Sequence, residues 1–195
     1  MPMNVVISVM ARDRVGIVAS VSRAVYELKG NIDSISQTVL RGYFTLILSA
    51  EFPQSFPLLD IQDAIEQSGK PGELEVSVKE RDPAAEGTPV VKGGGETFVL
   101  TLIVKDRTGI LSRTSAYLAS RSINIVDLYA YTQEDRFVVI SQLQVPREQD
   151  IRQIQIDLES LWKDRDVTVS LQHENIFVAT NEIDFRHTRL GVRRT

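Results

Sequence analysis

Hydrophobic and polar positions alternate through NVVISVMA (residues 4–11), so that Val5, Ile7 and Val9 fall on one side of an extended chain. An acidic residue, a basic residue and a glycine then interrupt the alternation, and Val18, Val21, Val25 and Leu28 recur at helical spacing. NIDSISQTVL (31–40) and YFTLILSAEF (43–52) read as two further strands. Leu58, Ile61 and Ile65 mark a second helix, and ELEVSVKE (73–80) reads as a closing strand.

The same order returns 93 residues later. RDRVGIV (12–18) reappears as KDRTGIL (105–111), and the offset carries Asn31-Ile32 onto Asn124-Ile125, Phe44 onto Phe137, Ile47 onto Ile140 and Pro53 onto Pro146. TFVLTLIV, NIVDLYAYTQ, RFVVISQLQV and DVTVSLQH are the matching strands. Leu111, Tyr117 and Leu118 mark the third helix, and Ile151, Ile154, Leu158, Leu161 and Trp162 the fourth. A module of about 80 residues is duplicated. Its order, strand, helix, strand, strand, helix, strand, predicts an α+β chain of two ferredoxin-like βαββαβ modules, each an antiparallel sheet with helices on one face. The expected boundaries are 1–80 and 97–173. Between them RDPAAEGTPVVKGGGE (81–96) has the Pro, Gly and charge content of a linker. After the second module NIFVATNEIDF (175–185) could add a strand, and RHTRLGVRRT (186–195) carries four arginines and is expected to be solvated.

One stretch in the first module points elsewhere. RGYFTLIL (41–48) resembles an RNA-binding strand, in which a basic residue and a glycine lead into aromatics that stack on bases. The fold allows it, so the side chains decide. Tyr43 is followed on its own face by Thr45, Ile47 and Ser49, and VVISVM in the first strand has no aromatic at all. Phe44, Leu46, Leu48 and Ala50 make an apolar set on the other face, which predicts a core strand. A net charge of −4 leans the same way, against a phosphate-binding surface.

Composition narrows the chemistry further. With 43% hydrophobic and 25% charged residues the chain is of ordinary globular type. It has no cysteine, which removes disulfides, thiolate catalysis and cysteine-type zinc sites and fits a cytoplasmic location. No apolar run approaches the ~20 residues of a membrane span, and no secretory signal opens the chain. His173 and His187 are the only histidines, and KGGGE sits in the linker rather than after a strand. No catalytic constellation, metal cluster or cofactor motif emerges, and the chain reads as a non-enzyme. Glu134-Asp135 reads as a solvated turn, Trp162 as core, and Tyr129 and Tyr131 share a face that packs or lines a contact.

The informative residues are in the first turn of each module. Asp13 and Asp106 are placed to act as N-caps, and Gly16 and Gly109 let the backbone approach whatever lies above the turn. Free amides at a helix start attract a carboxylate. The alternative is a turn that only joins strand to helix.

DRVGIVASVSRAVYELKGNI, with its weaker partner DRTGILSRTSAYLASRSINI, resembles the start of an ACT domain, the small regulatory module that binds amino acids. The whole chain resembles the glycine cleavage system transcriptional repressor-like proteins, two such modules with little else. The resemblance implies a homo-oligomer that binds an amino acid at a domain contact and acts through a protein partner, without touching nucleic acid or membrane. It implies that Asp13 and Asp106 meet the ammonium group of the ligand or a polar neighbour of it, and that Gly16, Ile17, Gly109 and Ile110 offer amides to its carboxylate. Asn31 and Asn124 would complete the cradle. The family usually has proline before the glycine, where Val15 and Thr108 stand here. Its serine-sensing members have a histidine where this chain has Ala11 and Val104, so the resemblance does not extend to serine specificity. Apolar positions Val99, Ile103, Val138 and Ile140 fall on the helix-free face of the second sheet, predicting that the modules pack against each other, or against a second chain, through sheet edges or open faces.

Overall fold

The computed structural model describes residues 2–82, 91, 94–162 and 167–181, with side chains through residue 178. The chain forms two compact units. The first contains β1 (Met3–Arg12), α1 (Ile17–Glu27), β2 (Asn31–Leu40), β3 (Tyr43–Phe52), α2 (Leu58–Glu66) and β4 (Glu75–Glu80). The second contains β5 (Gly95–Lys105), α3 (Ile110–Ser120), β6 (Asn124–Gln133), β7 (Arg136–Pro146), α4 (Ile151–Ser160), β8 (Val167–His173) and α5 (Glu174–Asn181). Each sheet is antiparallel, in the order β2-β3-β1-β4 and β6-β7-β5-β8. This is the twice-repeated βαββαβ order that the alternation predicts. β5 begins at Gly95, inside the segment read as linker. Most of that linker, His187 and the arginine-rich tail lie outside the described residues.

In the first unit the core lies between sheet and helices. Val5, Ile7, Val9 and Ala11 of β1 and Phe44, Leu46, Leu48, Ala50 and Phe52 of β3 are buried against Ile17, Val21, Val25, Ile61 and Ile65. Tyr43 and Ile47 are exposed on the opposite face, so RGYFTLIL supplies a core strand. In the second unit Trp162, 1% exposed, joins the core with Leu100, Leu102, Leu118, Leu143, Ile154 and Leu158. The arginines at 107 and 113 lie over its ring, 4.6 and 5.1 Å from the centroid.

β2 and β6 are edge strands, and each is bulged near its start, between Ile32 and Ser34 and between Ile125 and Asp127. The extra residue reverses the side-chain parity of everything after it. Ile35, Gln37 and Val39 therefore pair with the core positions Leu48, Leu46 and Phe44 and face the helix side of the sheet.

The segment after β8 corrects the expected strand, because residues 174–181 form helix α5. His173 Nδ1 accepts the Asn175 amide at 3.3 Å, and Glu174, acidic in the first turn, accepts from Gln142 at 3.0 Å. Both groups favour a helix start. α5 packs on β5 and β8, with Phe177 9% and Val99 1% exposed. The expected apolar face is thus largely covered from within its own module: Val138 is buried and Ile103 and Ile140 are half-buried. Tyr129 and Tyr131 remain exposed on that face.

Candidate functional site

The β1–α1 turn brings a charged pair, a glycine and the open end of a helix together. Gly16 is the N-cap residue of α1, with φ 93° and ψ 1°, and Gly109 has the same role for α3 at φ 89°. At neither position would a Cβ meet anything closer than 3.7 Å. Glycine is needed there for the left-handed backbone, not to make room. Neither helix has a side-chain cap. This corrects the reading of Asp13 and Asp106 as N-caps: each lies three residues before the cap, and its own amide is tied to the facing hairpin. Asp13 N donates to Gly42 O at 2.9 Å and Asp106 N to Asp135 O at 2.7 Å.

The Asp13 carboxylate therefore remains without a hydrogen bond or ion pair among the described residues. It lines a groove of ≈ 530 Å³ with Arg14, Gly16, Ile17, Gln37 and Val39. Amides of the first α1 turn lack intrahelical acceptors; the first helical bond of this turn is Ser20 N to Gly16 O, at 2.9 Å. Val18 and Phe44 add apolar wall. The groove thus combines a carboxylate, free amides and an uncharged side-chain amide, the complement of a small zwitterion.

Arg14 is held at the rim. Its Nε pairs with Glu73 Oε1, its Nη2 donates to Glu73 Oε2 at 2.7 Å, and its Nη1 to Val15 O at 3.0 Å. Glu73 also accepts the Lys70 amide at 2.8 Å. The bond from Arg14, followed by that from Lys70, lowers the Glu73 carboxyl from 4.5 to about 2. The turn is thereby anchored to the loop before β4.

In the second module Asp106 accepts a hydrogen bond from Thr132 Oγ1 at 3.2 Å. Ala130 and Thr132 stand where the first module has Gln37 and Val39.

Asn31 and Asn124 are not brought to these turns by their own modules. Asn31 shares a rung with Glu51 and Asn4, whereas the turn leaves β1 at Arg12, on the rung of Tyr43 and Leu40. At ~3.3 Å per residue the two ends are about 26 Å apart. Asn124 is likewise at the Gln144 and Thr97 end of its sheet, remote from Lys105. Gln37 escaped the sequence reading although a signal was present: Ile35 and Val39 share its parity, opposite to Ile32, which is the mark of a bulge.

A second depression, ≈ 550 Å³, lies on the helix-free face of the first sheet, over Ser8, Met10, Ser36, Thr45, Ile47 and Glu75. Its strand amides are engaged in sheet pairing, so it offers a carboxylate side-chain hydroxyls, those of Ser8, Ser36 and Ser77 among them, and none of the free helix-start amides of the turn groove. The turn groove is the stronger candidate. His173 stacks edge-on against Phe98 at 5.3 Å. Among the described residues no group of three or more His, Cys, Asp or Glu converges to hold a metal, and no helix is long and apolar enough to cross a membrane.

Comparison with known proteins places this geometry. ACT-domain models match residues 5–67 and 96–172. The chain belongs to the ACT-domain family and carries two such domains, as is typical of regulatory amino-acid-binding proteins; neither model is of a catalytic family. A UPF0237 protein of Methanosarcina mazei is 41% identical over 78 residues, 40% of this chain and 85% of the relative. One from Clostridium acetobutylicum is 38% identical over 81 residues, 41% of this chain and 89% of the relative. Two crystal structures match the fold at greater length. A protein of unknown function from Galdieria sulphuraria has a TM-score of 0.71 at 23% identity, covering 89% of this chain and 99% of its own. A candidate glycine cleavage system transcriptional repressor has 0.64 at 19%, with the same coverage.

Proposed function

We propose that this protein is an amino-acid sensor that binds a small amino acid at the β1–α1 turn and passes the bound state to a protein partner, in metabolic or transcriptional regulation. The observation that carries the reading is Asp13: a carboxylate without an internal partner, in a groove that also holds the free amides of a helix start. A structural turn would engage that carboxylate, as Thr132 engages Asp106. An amino acid would place its ammonium on Asp13 and its carboxylate on the amides of Gly16 and Ile17.

Edge strand β2 supports a ligand site at a contact between chains. Ile35, Val39 and Leu40 are exposed along it, and an uncovered edge is a template for pairing. If two copies pair β2 antiparallel over its full length, Asn31 of each falls opposite Leu40 of the other, beside the turn. Asn31 then lies at the turn end of the neighbouring chain, on the helix-free face that Leu40 shares with Tyr43 and outside the groove, and a homodimer is the sensing unit. Asn124 would occupy the same place along β6.

The test is a thermal melt of the purified chain with each standard amino acid in turn. Binding confined to the native state stabilises it by about 2.7 kcal/mol at a hundredfold excess over Kd. A rise for one or a few amino acids is the expected result. No rise for any of them removes the sensing function and leaves an interaction module.

A further inference from the structure

The geometry points to an amino-acid site in the first module alone, with Gln37 as one of its contacts. The inference rests on the reading of the turn groove as the amino-acid site and adds where it operates and what selects it. At the 93-residue offset the two modules correspond residue for residue at these positions: Asp13 answers to Asp106, Gln37 to Ala130 and Val39 to Thr132. The backbones are alike: both turns start their helix at a left-handed glycine, and both second strands are bulged at the same place. The side chains decide the difference.

In the first module the Asp13 carboxylate and the Gln37 amide line the same groove, and neither has an internal partner among the described residues. Val39 beside them can donate nothing. In the second module Thr132 donates its hydroxyl to one Asp106 oxygen at 3.2 Å, which takes one of the acceptor positions of that carboxylate. Ala130 supplies no polar atom. A ligand entering there shares the carboxylate with Thr132 and finds no counterpart of the Gln37 amide. Gln37 itself sits on the helix side of its strand, among positions otherwise held by Ile35 and Val39. Its amide can both donate and accept, which suits a carboxylate or a polar ligand side chain next to the helix amides.

The competing account is that Gln37 is a solvated polar residue interrupting an apolar sheet edge. The two accounts part in one experiment. The isotope-labelled full chain is titrated with each standard amino acid and followed by NMR, and any that binds is titrated by calorimetry. The expected result is shifts at the Asp13–Ile17 turn and the Gln37 side-chain amide, with one amino acid bound per chain. Gln37→Ala should weaken binding about tenfold, the loss of one hydrogen bond to a charged group, with an unchanged circular dichroism spectrum. Thr132→Val should leave affinity and stoichiometry as they were. Two sites per chain, shifts centred on the Asp106 turn, or unchanged affinity in Gln37→Ala overturns the inference while sensing stands. No binding by any amino acid overturns the sensing reading and this inference with it.

Discussion

Thr114 sits on the buried face of α3, 3% exposed, and its hydroxyl has no hydrogen-bond partner. The first module has Val21 at the matching position, 1% exposed in the core. Valine has the same shape without the hydroxyl, so Thr114→Val removes an unsatisfied polar group and should stabilise the chain by about 1 kcal/mol in urea unfolding. A loss of stability would mean that the hydroxyl has a partner in solution. Residue identities of this kind were only partly legible. The Asp-Arg-x-Gly pattern located the turn, but the role of its aspartates depended on where the helix begins. Gly16 and Gly109 adopt a left-handed cap, which shifts the helix start past the reach of Asp13 and Asp106. Only the resemblance points Asn31 to the site, and strand register places it at the far end of its own sheet.

At the scale of elements, the anchor between the turn and the loop before β4 makes a pH prediction. The folded Glu73 carboxyl lies at about 2 instead of 4.5, first through Arg14 and then through the Lys70 amide. Its folded value is below the unfolded one, so its contribution is complete above the ordinary carboxylate range and fades as pH falls toward 2. Glu73→Gln should melt lower than the wild type near neutrality, and the two Tm curves should converge over that acid interval. Curves that stay parallel would show that the anchor contributes nothing. Asp33 and Asp157 are also lowered, Asp33 chiefly by its bond from Ser49 and Asp157 chiefly by that from Gln153, and add an acid slope common to both proteins. Strands and helices were legible wherever periodicity was sustained, because β1 and β3 each bury one face and β5 and β7 keep the same apolar alternation toward their helices. α5 was not legible. Ile176, Phe177, Val178 and Thr180 are strand formers by propensity, and what outweighs them is tertiary: α5 packs on β5 and β8 with Phe177 buried.

For the whole molecule, duplication supplies two scaffolds and substitution separates them. Gly69 in the first module answers to Trp162 in the second, and Glu73 holds the turn arginine where Trp162 underlies its counterpart. One turn keeps an unengaged carboxylate; in the other Thr132 donates to it. The measurement that tests this account most directly is the melting temperature of Asp13→Asn with and without each amino acid that stabilises the wild type. Asp13 caps no helix, so the account predicts an unchanged melt without amino acid, within about 0.5 kcal/mol, and loss of most of the amino-acid-induced rise. A variant that melts lower alone yet keeps the full rise would contradict it, and would make Asp13 part of the turn and not of the site.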